Sequence, residues 1–304
     1  AQFRSTVVLC TATQPSLGDL LAAYAPGWPV EELCPQTAAL YERFRRVTFR
    51  REDALEDSAL AGRLGEHRQV LCIVNSRRAA QHIYELLPRE GSFHLSTLMI
   101  PAQRQAFLHK IRERLRRGEV CRVVSTSLIE AGVDVDFPLV YREMAGLDSI
   151  LQAAGRCNRE GRRNAEQSIV HVFEMEGGIP RGIMQQREAA IKTMEKYPEI
   201  NTRQASQAYF KRLLMERGDD MLDQKKILNL ERSCMFKQTE REFRLIDEDT
   251  RTVYIPNREN AADLARLRAG QYSKTLFRRL ARSSVNIYQK EYLKLVSAAA
   301  VEDF

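Results

Sequence analysis

The sequence predicts an α/β fold, a parallel sheet flanked by helices and followed by a smaller α+β region. Short apolar, β-branched runs recur through the first half, at Thr6 to Cys10, Val70 to Val74, Val120 to Val124, Leu139 to Tyr141 and Ile169 to Phe173. Runs of that length without polar alternation suit strands covered on both faces. Between them lie segments with helical spacing, and strands alternating with helices of that length build right-handed βαβ units. After Gly177-Gly178-Ile179-Pro180 the pattern changes to charged helices and isolated apolar runs.

Taken in order, Thr6 to Cys10 reads as a strand entering the small-hydroxyl turn Thr11-Ala12-Thr13, and Pro26, Gly27, Pro29 and Pro35 punctuate a linker. Residues 1–35 are therefore expected to be the end of a preceding domain and its linker, and residues 36–180 the α/β domain. Within that domain Arg78 to Leu87 lines up Ala79, Ile83, Tyr84 and Leu87, and Pro101 to Arg117 lines up Phe107, Leu108, Ile111 and Leu115, each along one helix face. Residues 181–304 read as a helical connector and a partial C-terminal domain. Helices are expected at Arg187 to Glu195 and Arg203 to Arg217, and a hairpin is expected to pair Phe243 to Ile246 with Val253 to Ile255. A basic helical stretch follows from Asn260 to Leu280.

The 304 residues carry 47 Lys+Arg against 40 Asp+Glu, a net charge of +7, and 44% hydrophobic against 29% charged residues, which is the balance of a globular protein. No apolar run approaches the roughly 18 residues of a membrane-spanning helix. The chain starts at Ala1 in mid-pattern and reads as a piece of a longer one. Six cysteines without a CxxC, and five scattered histidines without an HExxH, argue against a zinc site and a disulfide framework. Cys10, Cys72 and Cys121 sit in apolar runs and read as reduced core residues, which suits a cytoplasmic protein.

The strongest chemical signal is Gln152-Ala153-Ala154-Gly155-Arg156-Cys157-Asn158-Arg159, a QxxGRxxR pattern. Two arginines three apart on one helix face present permanently charged, planar forks suited to phosphate oxygens. The plain alternative is a surface helix with stray arginines. Upstream, Val123-Val124-Ser125-Thr126 carries a strand into hydroxyls, and Gly132, Asp134 and Asp136 stand on the turn that follows. Hydroxyls and free amides at a strand end can bind a phosphate chain. Asp134 and Asp136 can equally be a cap and a solvated turn. Val70 to Val74 delivers Asn75-Ser76 to another strand end.

The order of these motifs resembles the superfamily-two helicases, whose motor is a pair of RecA-like lobes with ATP and nucleic acid between them. The resemblance covers about residues 6 to 161. Two strings, Leu128-Ile129-Glu130-Ala131-Gly132-Val133-Asp134-Val135-Asp136-Phe137 and Gly155-Arg156-Cys157-Asn158-Arg159-Glu160-Gly161, with Phe243-Arg244-Leu245-Ile246-Asp247 later, are similar to the CRISPR-associated helicase-nuclease of type I systems. The resemblance implies that Arg159 is the arginine finger on the γ-phosphate and Arg156 its partner. It implies that Gln152, Gly132 and Asp134 face the nucleotide, Asp134 toward the ribose. Asn75, Ser76, Arg104, Ser125 and Thr126 would hold the backbone of single-stranded DNA, and Thr11 and Thr13 would couple the lobes. Where the family usually has a His, Ser96 stands here.

The sequence contains no GK[ST] phosphate loop, so ATP and Mg²⁺ are expected to be held mainly by a first lobe outside this chain. The implied partners are that lobe, an HD nuclease domain, single-stranded DNA and a Cascade-type guide-RNA surveillance complex, with no membrane. Two other readings remain open at this stage, an RNA helicase or other translocase lobe, and a non-catalytic docking module.

Overall fold

Four of the apolar runs form the centre of a six-stranded sheet, because their side chains have helices to bury against on either side. In the computed structural model the described residues are 36–176, 181–243 and 249–302 with isolated positions before 36, and the side chains of 181 and 216–222 are not among them. The first unit runs α1 (Thr37–Arg43), β1 (Thr48–Leu55), α2 (Asp57–Glu66), β2 (Gln69–Ile73), α3 (Arg77–Leu86), β3 (Ser92–Leu95), α4 (Pro101–Arg117), β4 (Cys121–Ser125), β5 (Leu139–Glu143), α5 (Leu147–Ala154) and β6 (Ile169–Met175). Every strand pair is parallel, in the order β1-β6-β5-β2-β4-β3.

Strand alternation divides the core. Leu71 and Ile73 of β2, with Val123, Val140 and Val170, pack on one face against Ile111 of α4 and Ile150 of α5. Val70 and Cys72, with Val124, Tyr141 and Phe173, pack on the other against Leu60 and Leu64 of α2 and Ala80 and Ile83 of α3. Helices α6 (Met184–Lys196) and α7 (Arg203–Leu222) extend the first face through Ala189, Ala190 and Tyr209, so the core takes in residues beyond 180. The Tyr209 hydroxyl donates to Asp148 Oδ1 of α5 at 2.8 Å, which satisfies a phenol otherwise fully buried.

A second unit follows α8 (Ile227–Arg232) and α9 (Phe236–Glu242). It contains β7 (Thr250–Tyr254), α10 (Ala261–Arg268), α11 (Lys274–Leu280), β8 (Ser284–Tyr288) and α12 (Gln289–Ser297), with Leu264, Leu267, Leu276 and Leu280 as its core. It rests on the first unit through the turn Ala281–Ser283 against α4, and through Arg77 at the start of α3. The Arg77 guanidinium lies 3.2 Å from Glu291 Oε1 and 5.2 Å from the Tyr288 ring centroid.

Several expectations are corrected. Of Thr6 to Cys10, the described residues Thr6, Val8, Leu9 and Cys10 form no strand and are exposed, Cys10 included. A strand needs a neighbour to hydrogen-bond with, and none of the six strands pairs with this segment. The first strand of the expected hairpin falls almost wholly outside the described residues. β7 pairs antiparallel with β8, Val253 opposite Val285, while Phe243 is exposed and irregular and residues 244–248 lie outside the described residues. Asn260 to Leu280 is two helices, since Gly270 at φ +71° adopts a left-handed conformation that ends the first, and Ser273 caps the second. Among the described residues no helix is long and apolar enough to cross a membrane.

Candidate functional site

The predicted residues gather at the two opposite edges of one sheet. Asn75 and Ser76 follow β2, Thr126 follows β4 and Arg104 lies in the first turn of α4, all at the carboxyl edge. Arg156 and Arg159 follow α5, which has carried the chain back to the amino edge, where Phe137 just before β5 forms a bridge with Cys157. Residues 126–138 run the length of the sheet between these places. Thr126 N donates to the Leu95 carbonyl at one end, and Phe137 N to the Arg156 carbonyl at the other.

At the amino edge the expected common helix face for the two arginines is not what forms. Helix α5 ends at Ala154 with Gly155 as its cap, so both arginines lie in the turn beyond it, and their side chains diverge. Arg156 is 7% exposed, and its Nε and Nη2 donate to the carbonyls of Ile129 and Glu130. Burial, and then the charge of Arg159, pull its pKa below the usual guanidinium value. Arg159 keeps 43% of its side chain exposed, and its Nε donates to Asp134 Oδ1 at 2.7 Å. Its backbone N–H donates to Asp136 Oδ1 at 2.7 Å, while Asp136 Oδ2 accepts from Arg163. The two acids of the Val133-Asp134-Val135-Asp136 segment thus hold one arginine by side chain and by backbone. Gly132, at φ +69°, has the left-handed backbone that favours glycine, and the missing Cβ would meet open space. Gln152 is half-buried on α5.

Asn158 is a site residue that the sequence reading missed. It sits at φ +46°, is 1% exposed, and its side chain donates to the carbonyls of Arg46 and Arg163 and accepts from Arg163 N. It fixes the turn that aims Arg159 outward. Its position between the two arginines was the available signal, since Asn tolerates the left-handed region better than most residues.

At the carboxyl edge Ser76 caps α3, its Oγ accepting from Ala79 N at 3.0 Å. Asn75 is engaged on three sides. Its N–H donates to Glu143 Oε2 at 2.6 Å, its Nδ2 donates to the Met144 carbonyl, and its Oδ1 accepts from Arg142 Nη1 at 2.7 Å. Ser125 is fully buried and donates to the Thr126 carbonyl, whereas Thr126 is 7% exposed at the mouth of the turn. Arg104 is half-buried and Ser96 is buried. Beside Asn75 and Ser76 opens a cleft of about 810 Å³ whose walls include Asp57, His82, Glu143 and Arg187. Thr11 and Thr13 lie outside the sheet, the Thr11 hydroxyl donating to the Thr13 carbonyl at 3.2 Å. Among the described residues no three His, Cys, Asp or Glu side chains converge as a metal site.

Between the edges lies a buried ion pair. Glu130 and Arg142 are 6% and 2% exposed, with Oε1 and Nε 3.0 Å apart. Burial raises the Glu130 carboxyl above the ordinary range, against the opposing pull of Arg142.

Residues 66–162 match the family model described as "CRISPR-associated nuclease/helicase Cas3, C-terminal", and this stretch holds both clusters. Over that stretch the chain is similar to the C-terminal region of Cas3-type nuclease/helicases. A curated Cas3 nuclease/helicase from Haloferax volcanii is 50% identical over 66 residues, which is 21% of this chain and 7% of that protein. One from Methanothermobacter thermautotrophicus is 29% identical over 111 residues, 35% of this chain and 13% of that protein. The chain therefore spans a small part of the curated relatives it matches. The crystal structure of T. fusca Cas3-ATP superposes with a TM-score of 0.58 at 14% identity, covering 88% of this chain and 37% of that one. A chain of a CRISPR RNA-guided surveillance complex, pre-nicking, does so at 0.51 and 15%, covering 88% and 39%. At such identities the agreement is in fold, and the chain shares the RecA-like parallel sheet and its flanking helices.

Proposed function

We propose that this chain is the second motor lobe of an ATP-dependent single-stranded DNA translocase acting in type I CRISPR interference. The observation that carries the reading is the separation of the two clusters. An exposed, tethered arginine stands at one edge of the sheet, and a row of strand-end and helix-start residues stands at the other. A first lobe bearing a phosphate loop would bring ATP against the amino edge. Arg159 would then exchange Asp134 for the γ-phosphate, leaving Asp134 free to face the ribose beside Gly132 and Gln152. A finger supplied in this way contributes about 10³ to 10⁵ in rate. Arg156 supports it from within, by holding the Ile129 and Glu130 carbonyls that shape the turn.

When bound, ATP would supply the phosphoryl group and Mg²⁺ would neutralise the developing charge. Both would be held mainly by the first lobe, with Arg159 reaching the nucleotide from this one. At the carboxyl edge Ser76, Thr126 and Arg104 would meet backbone phosphates, with Asn75 and Ser125 setting the ends of β2 and β4 behind them. Such contacts read no base, as a motor moving along any sequence requires. Thr11 and Thr13 would lie at the junction with the first lobe. An HD nuclease domain and a guide-RNA surveillance complex that delivers the strand would complete the assembly. The reading is tested by ATP turnover of the full-length enzyme with single-stranded DNA or with RNA of the same sequence. Stimulation by DNA alone is expected, and stimulation by RNA alone would overturn the substrate assignment.

A further inference from the structure

The two edges are joined by a buried polar chain that no strand or nucleotide contact requires. Arg156 Nη2 donates to the carbonyl of Glu130. The Glu130 carboxylate lies 3.0 Å from Arg142 Nε, and Arg142 Nη1 donates both to Asn75 Oδ1 at 2.7 Å and to its neighbour's carbonyl on Glu143 at 2.8 Å. Asn75 in turn binds Glu143 and Met144 and precedes Ser76, the cap of α3. Each link joins a different segment, so a shift of residues 126–138 at the arginine turn displaces the β2 end through side chains packed at 2% and 6% exposure.

Burying two full charges is costly, and an apolar pair of the same volume is often as stable or more so, which gives stability alone no reason to keep this one. The geometry at the centre of the chain also matters. Glu130 Oε1 and Arg142 Nε are in charge contact but not aligned as a hydrogen bond, and both atoms lack a hydrogen-bond partner. The pair is nonetheless one link in a continuous run of side-chain contacts from the arginine turn to the end of β2, and contiguous networks of this kind can carry coupling between sites.

We infer that Glu130 and Arg142 are positioning residues that transmit closure at the arginine turn to the strand contacts at Asn75 and Ser76. The inference rests on the motor-lobe reading above and names the linkage inside that lobe. Its test uses the full-length enzyme with three readouts: ATP turnover without DNA, turnover with saturating single-stranded DNA, and affinity for a fluorescein-labelled oligonucleotide. Replacing the pair by apolar side chains in the double variant Glu130→Met/Arg142→Met is expected to cut the DNA-stimulated increment about tenfold. Turnover without DNA should stay near wild type, which a general loss of structure would not allow, while oligonucleotide affinity reports the separate effect of losing the Arg142–Asn75 bond. Should the double variant melt early, Glu130→Gln, which keeps shape and removes the charge, is expected to show the same split. Undiminished stimulation in the folded double variant, or in Glu130→Gln, overturns the inference, and so does an enzyme whose turnover DNA does not stimulate. Arg159→Ala separates the two levels of the argument. If it leaves turnover intact, the motor-lobe reading itself fails. If it abolishes turnover while the pair variants stay stimulated, only the linkage fails.

Discussion

Arg159 Nε stands 2.7 Å from Asp134 Oδ1, and both side chains remain open to solvent, at 43% and 80% exposure. A pair this exposed contributes at most about 1 kcal/mol to stability, because water screens it and two side chains must be ordered to make it. In the proposed motor the pair would hold a guanidinium in reach of a ligand without spending that guanidinium on the fold. Asp134→Ala is therefore expected to leave the urea midpoint of this chain unchanged. In the full-length enzyme it should raise KM for ATP severalfold, through loss of the proposed ribose contact. A destabilised variant with normal KM would show instead that the pair is structural.

Arg156 makes the opposite prediction. Truncation strands the Ile129 and Glu130 carbonyls inside the turn without donors, and buried unpaired polar groups of this kind cost of order 3 kcal/mol. Urea denaturation of Arg156→Ala should show a loss of that size, with Arg156→Lys in between. Wild-type stability in Arg156→Ala would contradict the buried placement.

Glu143 makes the stability of the lobe depend on pH. Burial pushes its carboxyl above the ordinary range, opposed by the Asn75 backbone hydrogen bond and the charge of Arg142. A carboxyl whose folded pKa is raised holds its proton longer in the folded state, so its contribution to stability falls as pH rises from the unfolded pKa through the folded one. Glu143→Gln can still accept from Asn75 N without ever ionising. Relative to wild type its stability should rise from pH 4 to pH 7, as read by urea denaturation across that range. A difference that is flat, or that falls with pH, would contradict the burial argument.

Much of the sheet was legible because its central strands are covered on both faces, which leaves β2, β4, β5 and β6 as plain apolar runs. The two strands that escaped are the edges. β1 carries Arg50, Arg51, Glu52 and Asp53, and β3 is only Ser92–Leu95; charge and shortness are what keep an edge from pairing with another chain, and they also erase the apolar signal. The pairing of β7 with β8 escaped for a related reason. Val253 has its apolar partner at Val285 beyond two helices, a long-range choice that local spacing does not encode.

The arginine motif was legible as a string, but not in its directions. Spacing alone put Arg156 and Arg159 on one face. The structure ends α5 at Ala154 and turns the chain at Asn158, sending one guanidinium inward to carbonyls and the other outward to Asp134. The same holds for Ser125 and Thr126, adjacent hydroxyls of which one is fully buried and the other borders the surface.

In the proposed motor, Arg159 acts on a phosphate bound outside this lobe. The most direct measurement is single-turnover ATP hydrolysis by the full-length enzyme with single-stranded DNA, comparing wild type with Arg159→Ala, alongside nucleotide affinity. The account predicts a loss of about 10³-fold or more in the hydrolysis step with ATP affinity changed little. Hydrolysis at the wild-type rate in Arg159→Ala would contradict it.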